Sequence, residues 1–167
     1  MKPTAIDCQS FGGGFSLGVV NSGFELVAKK EYSSAFGVDV MEANRQLLGD
    51  KWQTQASDPD EWQPRKVDLV FGNPPCSGFS NRSSAIRGIK ADGTKGIIEF
   101  KGINSKANEC MWSLVEYAGA CDPSIIIFES VQGAFKQGLD LMRDLRESLE
   151  LQTDQEWDLY HVLHDAS

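Results

Sequence analysis

The stretch Val67-Asp68-Leu69-Val70-Phe71-Gly72-Asn73-Pro74-Pro75-Cys76-Ser77-Gly78-Phe79-Ser80 decides how the chain is read. A short apolar strand, Val67 to Phe71, runs into two prolines that deliver a cysteine. Proline fixes its own φ and restricts the residue before it, so the backbone itself sets where the thiol lies. In an α/β protein the carboxyl end of a strand is where chemistry is placed. The glycine, serines and phenylalanine that follow predict a mobile loop with one apolar anchor. Two readings of Cys76 stand side by side: a nucleophile, or the small buried hydrophobe that a free cysteine more often is.

Working outward, strands and helices alternate. Thr4 to Gln9 predicts a strand ending in the cluster Gly12-Gly13-Gly14, followed by a helix from Phe15 to Asn21 that Gly23 closes. Phe24 to Lys29 reads as a second strand, with Glu31 just beyond it. Ser33 to Leu48 has helical spacing, and a weak third strand falls near Trp52 to Gln55. Residues 77 to 104 read as a long Gly- and Ser-containing loop with a basic character, a length typical of a functional lid or of a disordered segment. Helix returns at Ser105 to Ala120, then a continuous apolar strand at Ser124 to Phe128 ending at Glu129. Phe135, Leu139, Met142, Leu145 and Leu149 mark one more helix, and Trp157 to Leu163 a last strand. Continuous apolar strands alternating with amphipathic helices imply a mostly parallel sheet with helices on both faces.

The 167 residues suffice for one domain with a sizeable core, and 41% hydrophobic and 24% charged residues are ordinary for a soluble protein. No apolar run reaches the length of a membrane span, and the amino terminus carries no signal-peptide pattern. Cys8, Cys76, Cys110 and Cys121 lie far apart without a C-x-x-C pair. That spacing argues against a disulfide framework or zinc site and fits a reducing cytosol. His161 and His164 lack partners of ligand spacing, so no metal is expected.

The net charge of −8 argues against nucleic acid as a partner until its distribution is considered. Between Asn81 and Ala107, Arg82, Arg87, Lys90, Lys95, Lys101 and Lys106 face only Asp92 and Glu99, a local charge of +4 that leaves −12 on the rest. The segment is either a solvated basic loop or a surface for phosphates.

Three further features carry candidate chemistry. The glycine-rich turn from Asp7 through Gly18 lets a ligand approach the backbone, with helix N–H groups beyond it for a negative group. Glu31 ends the second strand about seventeen residues past the Gly12-Gly13-Gly14 cluster, near the spacing at which an acid holds ribose hydroxyls. A tight turn and a solvated strand end explain the same residues. Glu129, at the carboxyl end of an apolar strand, is either a loop carboxylate or an acid held for use.

Together these residues resemble the DNA cytosine-5 methyltransferases over nearly the whole chain. The family motif D-L-F-x-G-x-G-G is similar to Asp7-Cys8-Gln9-Ser10-Phe11-Gly12-Gly13-Gly14, P-C-x-x-F-S is met at Pro75, Cys76, Phe79 and Ser80, and E-N-V appears as Glu129-Ser130-Val131. The resemblance implies a Rossmann-like S-adenosylmethionine-dependent methyltransferase fold, mostly parallel and incomplete at the carboxyl end. It implies a single catalytic domain over 1–167, with a cofactor-binding half at 1–72, a catalytic turn and basic loop at 73–106, and remaining α/β structure at 107–167. By the same resemblance Cys76 and Glu129 are catalytic. Asp7, Phe11, Gly12, Gly13, Gly14, Glu31, Asp58, Asn73 and Pro75 bind the cofactor, and Ser80, Arg82, Arg87 and Lys90 belong to the nucleic-acid loop.

Phe11 stands where the family has a glycine, Gln9 where it has a phenylalanine and Ser130 where it has an asparagine. The sequence ends at Ser167, where the family approaches its Q-x-R-x-R motif, and the target-recognition region is not in it. The implied chemistry is attack of the Cys76 thiolate on C6 of a flipped cytosine, with Glu129 protonating N3 and C5 taking the methyl group. Burial at the end of its strand is expected to keep Glu129 readily protonated. The setting implied is the cytosol of a bacterium or phage-infected cell, with restriction–modification among the roles. Three alternatives remain open. One is a DNA amino-methyltransferase, whose N-P-P turn resembles Asn73-Pro74-Pro75. Another is a methyltransferase-fold subunit that needs a second polypeptide, and the third is an RNA-directed enzyme.

Overall fold

In a computed structural model, residues 1–10, 13–30, 65–76, 78–79, 87–89, 93–97 and 108–163 are described. The expected helix at 33–48 and the weak strand near 52–55 lie outside them. The chain divides into two compact units. The first takes in residues 1–74 and 113–129, and the second residues 75–112 and 130–167.

The first unit is built on four parallel strands: β1 (Thr4–Asp7), β2 (Glu25–Lys29), β3 (Leu69–Gly72) and β6 (Ile125–Phe128). Their order is β2-β1-β3-β6. The chain leaves β1 toward β2 and returns to β3 on the other side. The carboxyl ends of β1 and β3 therefore flank the point where the winding reverses, the crevice in which such sheets bind ligands.

Side-chain alternation along each strand sorts the residues to two faces. Ala5, Leu69 and Phe71 pack with Val19, Phe15, Phe24 and Leu26, so helix α1 (Gly14–Asn21) covers one face. The Phe15 and Phe71 rings meet at 4.9 Å with a 57° tilt, an arrangement that contributes about 0.5–1.5 kcal/mol beyond burial. Gly72 points the other way. A Cβ there would come within 2.8 Å of Leu114 Cδ1 and 3.3 Å of the Gln9 amide nitrogen. Helix α2 (Glu109–Cys121), which carries Leu114, therefore covers the second face. The expected arrangement, a parallel sheet with helices on both faces, is found in this unit.

Asp68 ties the amino ends of the strands together. Its carboxylate accepts bonds from Thr4 N–H (2.7 Å) and Thr4 Oγ1 (3.0 Å), which hold it below the usual range. One irregularity matters later. The β1–β2 register shifts between Ala5 and Ile6, so that Leu26 faces Ala5 but Ala28 faces Ile6.

The second unit contains α3 (Gln132–Gln137), α4 (Leu139–Thr153) and a hairpin of β4 (Arg87–Ile89) with β5 (Lys95–Ile97). The hairpin corrects the expectation of a structureless loop over 77–104. The single helix expected from Phe135 to Leu149 is two, broken at Gly138. Leu141, Met142, Leu145 and Leu149 form the buried stripe, while Phe135 and Leu139 lie outside it.

The strand expected at Trp157 to Leu163 is not formed. Its start is engaged by side chains instead. Trp157 N–H donates to a Glu150 carboxylate oxygen (3.0 Å), Trp157 Nε1 to Thr153 Oγ1 (3.0 Å), and His161 stacks on Phe135 at 3.8 Å. No neighbouring strand among the described residues offers it a ladder, and Tyr160 and Val162 remain 81% and 82% exposed. The β6 strand also departs from expectation: Ile125 (50%) and Ile127 (44%) are exposed along one face.

Gly72→Ala tests the close approach of β3 to α2. The added methyl overpacks the contact with Leu114, and destabilisation by about 1–3 kcal/mol is expected, read as a lower urea midpoint at an unchanged slope.

Candidate active site

The carboxyl end of β1 builds the first part of the site. Asp7 is 1% exposed. Its carboxylate accepts a very short bond from Ser16 Oγ and a 3.2 Å bond from Gln9 N–H. Burial pushes its pKa up to about 6, opposed by the Ser16 bond and the Lys29 charge. Lys29 is buried as well. Burial lowers its pKa, and Asp7 opposes the shift.

The register shift in β2 makes this pairing possible. It sets Lys29 opposite Asp7 in the ladder. Lys30 instead holds its ammonium 3.2 Å from the centroid of the Tyr117 ring on α2. Two adjacent lysines thus serve opposite faces of the sheet. Sequence reasoning missed both, although two cations at the end of an apolar strand were a readable signal.

Above Asp7 the chain turns into α1. Gly13 is the N-cap, with φ of 75°, a conformation that costs a residue with a side chain about 1–2 kcal/mol. A Cβ there would also approach Lys29 Nζ to 3.3 Å. No side chain caps the helix among the described residues, and the space where a Gly14 side chain would lie is open to 4 Å. The first-turn N–H groups are therefore disposed to receive a polar ligand.

The ends of the strands are laced together beside this turn. Cys8 N–H donates to the Phe71 carbonyl (2.7 Å), Lys30 N–H to the Asp7 carbonyl (2.7 Å) and Asn73 N–H to the Gln9 carbonyl (3.3 Å). On the far side of β3, Glu129 N–H donates to the Gly72 carbonyl (3.2 Å). Glu129 is exposed, which corrects the expectation that burial at its strand end keeps it readily protonated.

In the second unit, Pro75 is exposed and Cys76 half-buried. Phe79 N–H donates to the Cys76 carbonyl (3.0 Å), closing a four-residue turn. Phe79 itself is 2% exposed, the apolar anchor that the sequence suggested. The other three cysteines are buried. Burial pushes the Cys8 thiol upward and the Cys121 thiol to about 11. Cys76 is the most accessible of the four.

Of the remaining expected site residues, Phe11, Gly12, Glu31, Asp58, Ser80, Arg82 and Lys90 lie outside the described residues, and Arg87 is placed only as part of β4. Among the described residues no group of three or more His, Cys, Asp or Glu could hold a metal ion, and no helix is long and apolar enough to cross a membrane.

Comparison with known proteins follows this geometry. The profile of the C-5 cytosine-specific DNA methylase family matches residues 4–166. The chain is 39% identical over 85 residues to the Type II methyltransferase M1.HphI of Haemophilus parahaemolyticus, an alignment covering 48% of this chain and 23% of that protein. Among solved structures it resembles one described as a DNA modification methyltransferase encoded within a prophage (E. coli), with a TM-score of 0.56 and 16% identity. That likeness covers 91% of this chain and 38% of the other. The chain thus spans about a quarter of the curated relative it matches.

Two outcomes are expected from the site's chemistry. Because the folded protein holds the Asp7 proton up to about pH 6, stability should fall by roughly 2–3 kcal/mol as pH rises from about 4 to about 6, then level. Denaturant titrations across that range should show the fall, and Asp7→Asn should flatten it. Iodoacetamide at neutral pH should modify Cys76 first, with Cys8, Cys110 and Cys121 reacting only after unfolding. Peptide mass mapping reads the order directly.

Proposed function

The chain belongs to the family of C-5 cytosine-specific DNA methylases, and on that premise we propose that it transfers a methyl group from S-adenosylmethionine to C5 of cytosine in DNA. Cys76 is the nucleophile of this reading and Glu129 its acid. The observation that carries it is the state of the cysteines: three are buried, and the accessible one lies in the P-C-x-x-F-S turn just beyond β3.

The residues at the end of β1 suit the cofactor. The left-handed Gly13, the open space at Gly14 and the uncapped first turn of α1 offer backbone donors and close approach. Asp7, Gly13, Gly14, Asn73 and Pro75 would hold it among the described residues, with Phe11, Gly12, Glu31 and Asp58 assigned by resemblance. S-adenosylmethionine supplies an electrophilic methyl group on sulfur.

The protein's own steps follow from the side chains. The Cys76 thiolate forms a bond to C6, and the C5–C6 π electrons move toward C5 while Glu129 delivers a proton to N3. C5, made nucleophilic in this way, would take the methyl group that the cofactor supplies. Transfer of the C5 proton to water then restores the C5–C6 double bond as the C6–S bond breaks and the Cys76 thiolate leaves, and the N3 proton returns to Glu129. Glu129 is exposed, so a bound base can reach its carboxyl group. The cytosine must leave the duplex to reach these groups. The basic segment, with Ser80, Arg82, Arg87 and Lys90, would meet the phosphates.

One observation favours a second reading, a methylase-fold subunit completed by a second polypeptide: the exposed face of Ile125 and Ile127 on β6. Covalent capture separates the two. With S-adenosylmethionine present, a duplex carrying 5-fluorocytosine should trap the chain in a denaturant-stable adduct, and Cys76→Ser should abolish it. Capture that survives the substitution removes Cys76 from the mechanism. Cofactor binding by calorimetry without capture favours the subunit, and no binding at millimolar cofactor rejects the cofactor assignment.

A further inference from the structure

The Cys76 turn is seated by two glycines outside the motif that carries the thiol. Gly133 lies in the first turn of α3, where a Cβ would overlap the Phe79 carbonyl oxygen and stand 3.3 Å from its carbon. Gly138 separates α3 from α4, and a Cβ there would meet the Ala134 carbonyl oxygen at 2.5 Å, Phe79 Cζ at 2.8 Å and Cε1 at 3.0 Å. One glycine therefore receives the backbone of Phe79 and the other receives its ring. The same Phe79 closes the turn through its N–H bond to the Cys76 carbonyl. All four residues belong to the second unit.

We propose that Gly133 and Gly138 are positioning residues for Cys76, acting through Phe79 by forming the notch that fixes the height and direction of its turn. This rests on the reading of Cys76 as the nucleophile. The argument is steric. Phe79 and Cys76 are joined by a backbone hydrogen bond, so displacing Phe79 pulls on the carbonyl of Cys76 and with it the thiol. A shift on the order of 1 Å at a reacting group can cost ~10²-fold in rate. The notch also accounts for the break between α3 and α4. Gly138 has φ of −111° and ψ of 21°, which ends one helix and admits the ring before the next begins.

The test compares Gly133→Ala and Phe79→Leu with the natural chain, using Leu151→Ala on the exposed surface of α4 as a control. Circular dichroism and melting first establish which variants fold. In both test variants, 5-fluorocytosine capture should slow at least tenfold, with the dissociation constant for S-adenosylmethionine within twofold of the natural value. Cys76 should meanwhile react at least threefold faster with iodoacetamide, because the displaced turn frees the thiol. Cys8, Cys110 and Cys121 should stay protected, which general loosening would not allow. The control should match the natural chain in every measurement. Capture and alkylation within twofold of natural rates in a folded variant would overturn the proposal. If the natural chain makes no adduct, the methyl-transfer reading fails by itself, and alkylation of Cys76 still decides whether the notch places the thiol. Should Gly133→Ala not fold, Phe79→Leu gives the answer alone.

Discussion

A buried carboxylate at the end of the first strand is the constraint around which the rest of the sheet end is arranged. Asp7 is almost fully withdrawn from water, a costly place for a charge unless partners replace its hydration. Ser16 supplies a hydroxyl from α1, Gln9 an amide from the turn, and Lys29 a charge from β2. Each partner belongs to a different piece of the crevice. Satisfying one acid therefore ties α1, the backbone just past β1 and the end of β2 to one point. The irregular register of β2 is part of the same solution. Strand side chains alternate between faces, so a one-residue slip sends every side chain to the opposite side. The shift between Ala5 and Ile6 gives Lys29 to the acid and leaves Lys30 to the ring of Tyr117.

What the sequence made legible was what depends on local chemistry. The runs Thr4 to Gln9, Phe24 to Lys29, Val67 to Phe71 and Ser124 to Phe128 announced strands, and each strand ends within a few residues of those bounds. Gly13 and Gly23 punctuated α1, and the P-C-x-x-F-S turn announced itself with its anchor. The parallel sheet followed from strands with no polar alternation. The misreadings arose where partners far along the chain decide. Phe135 and Leu139 keep helical spacing with the residues that follow, so the apolar period alone carries no sign of the break at Gly138. Trp157 to Leu163 is rich in aromatic and apolar residues and reads as a strand, but a strand exists only where another offers a ladder. Glu129 was read as buried because its strand is apolar, whereas every second residue of β6 faces outward.

The distribution of charge gains meaning from the fold. The acidic residues that dominate the total are spread over exposed surfaces such as that of α4, where Asp140, Asp144 and Glu147 are all exposed. The basic residues after Cys76 are concentrated in one segment, part of which is the β4–β5 hairpin. A phosphate backbone senses the local field within about 8–10 Å at physiological salt, not the net charge of the molecule. An overall charge of −8 is thus compatible with a nucleic-acid surface confined to that segment.

The same principle of distant partners applies inside the second unit, where the turn that carries Cys76 meets helix α3. Phe79 N–H donates to the Cys76 carbonyl, and the Phe79 carbonyl stands against Gly133, more than fifty residues further along the chain. Neither segment alone specifies that contact. The glycine is as much a part of it as the phenylalanine, because only a residue without a side chain lets one backbone rest on another.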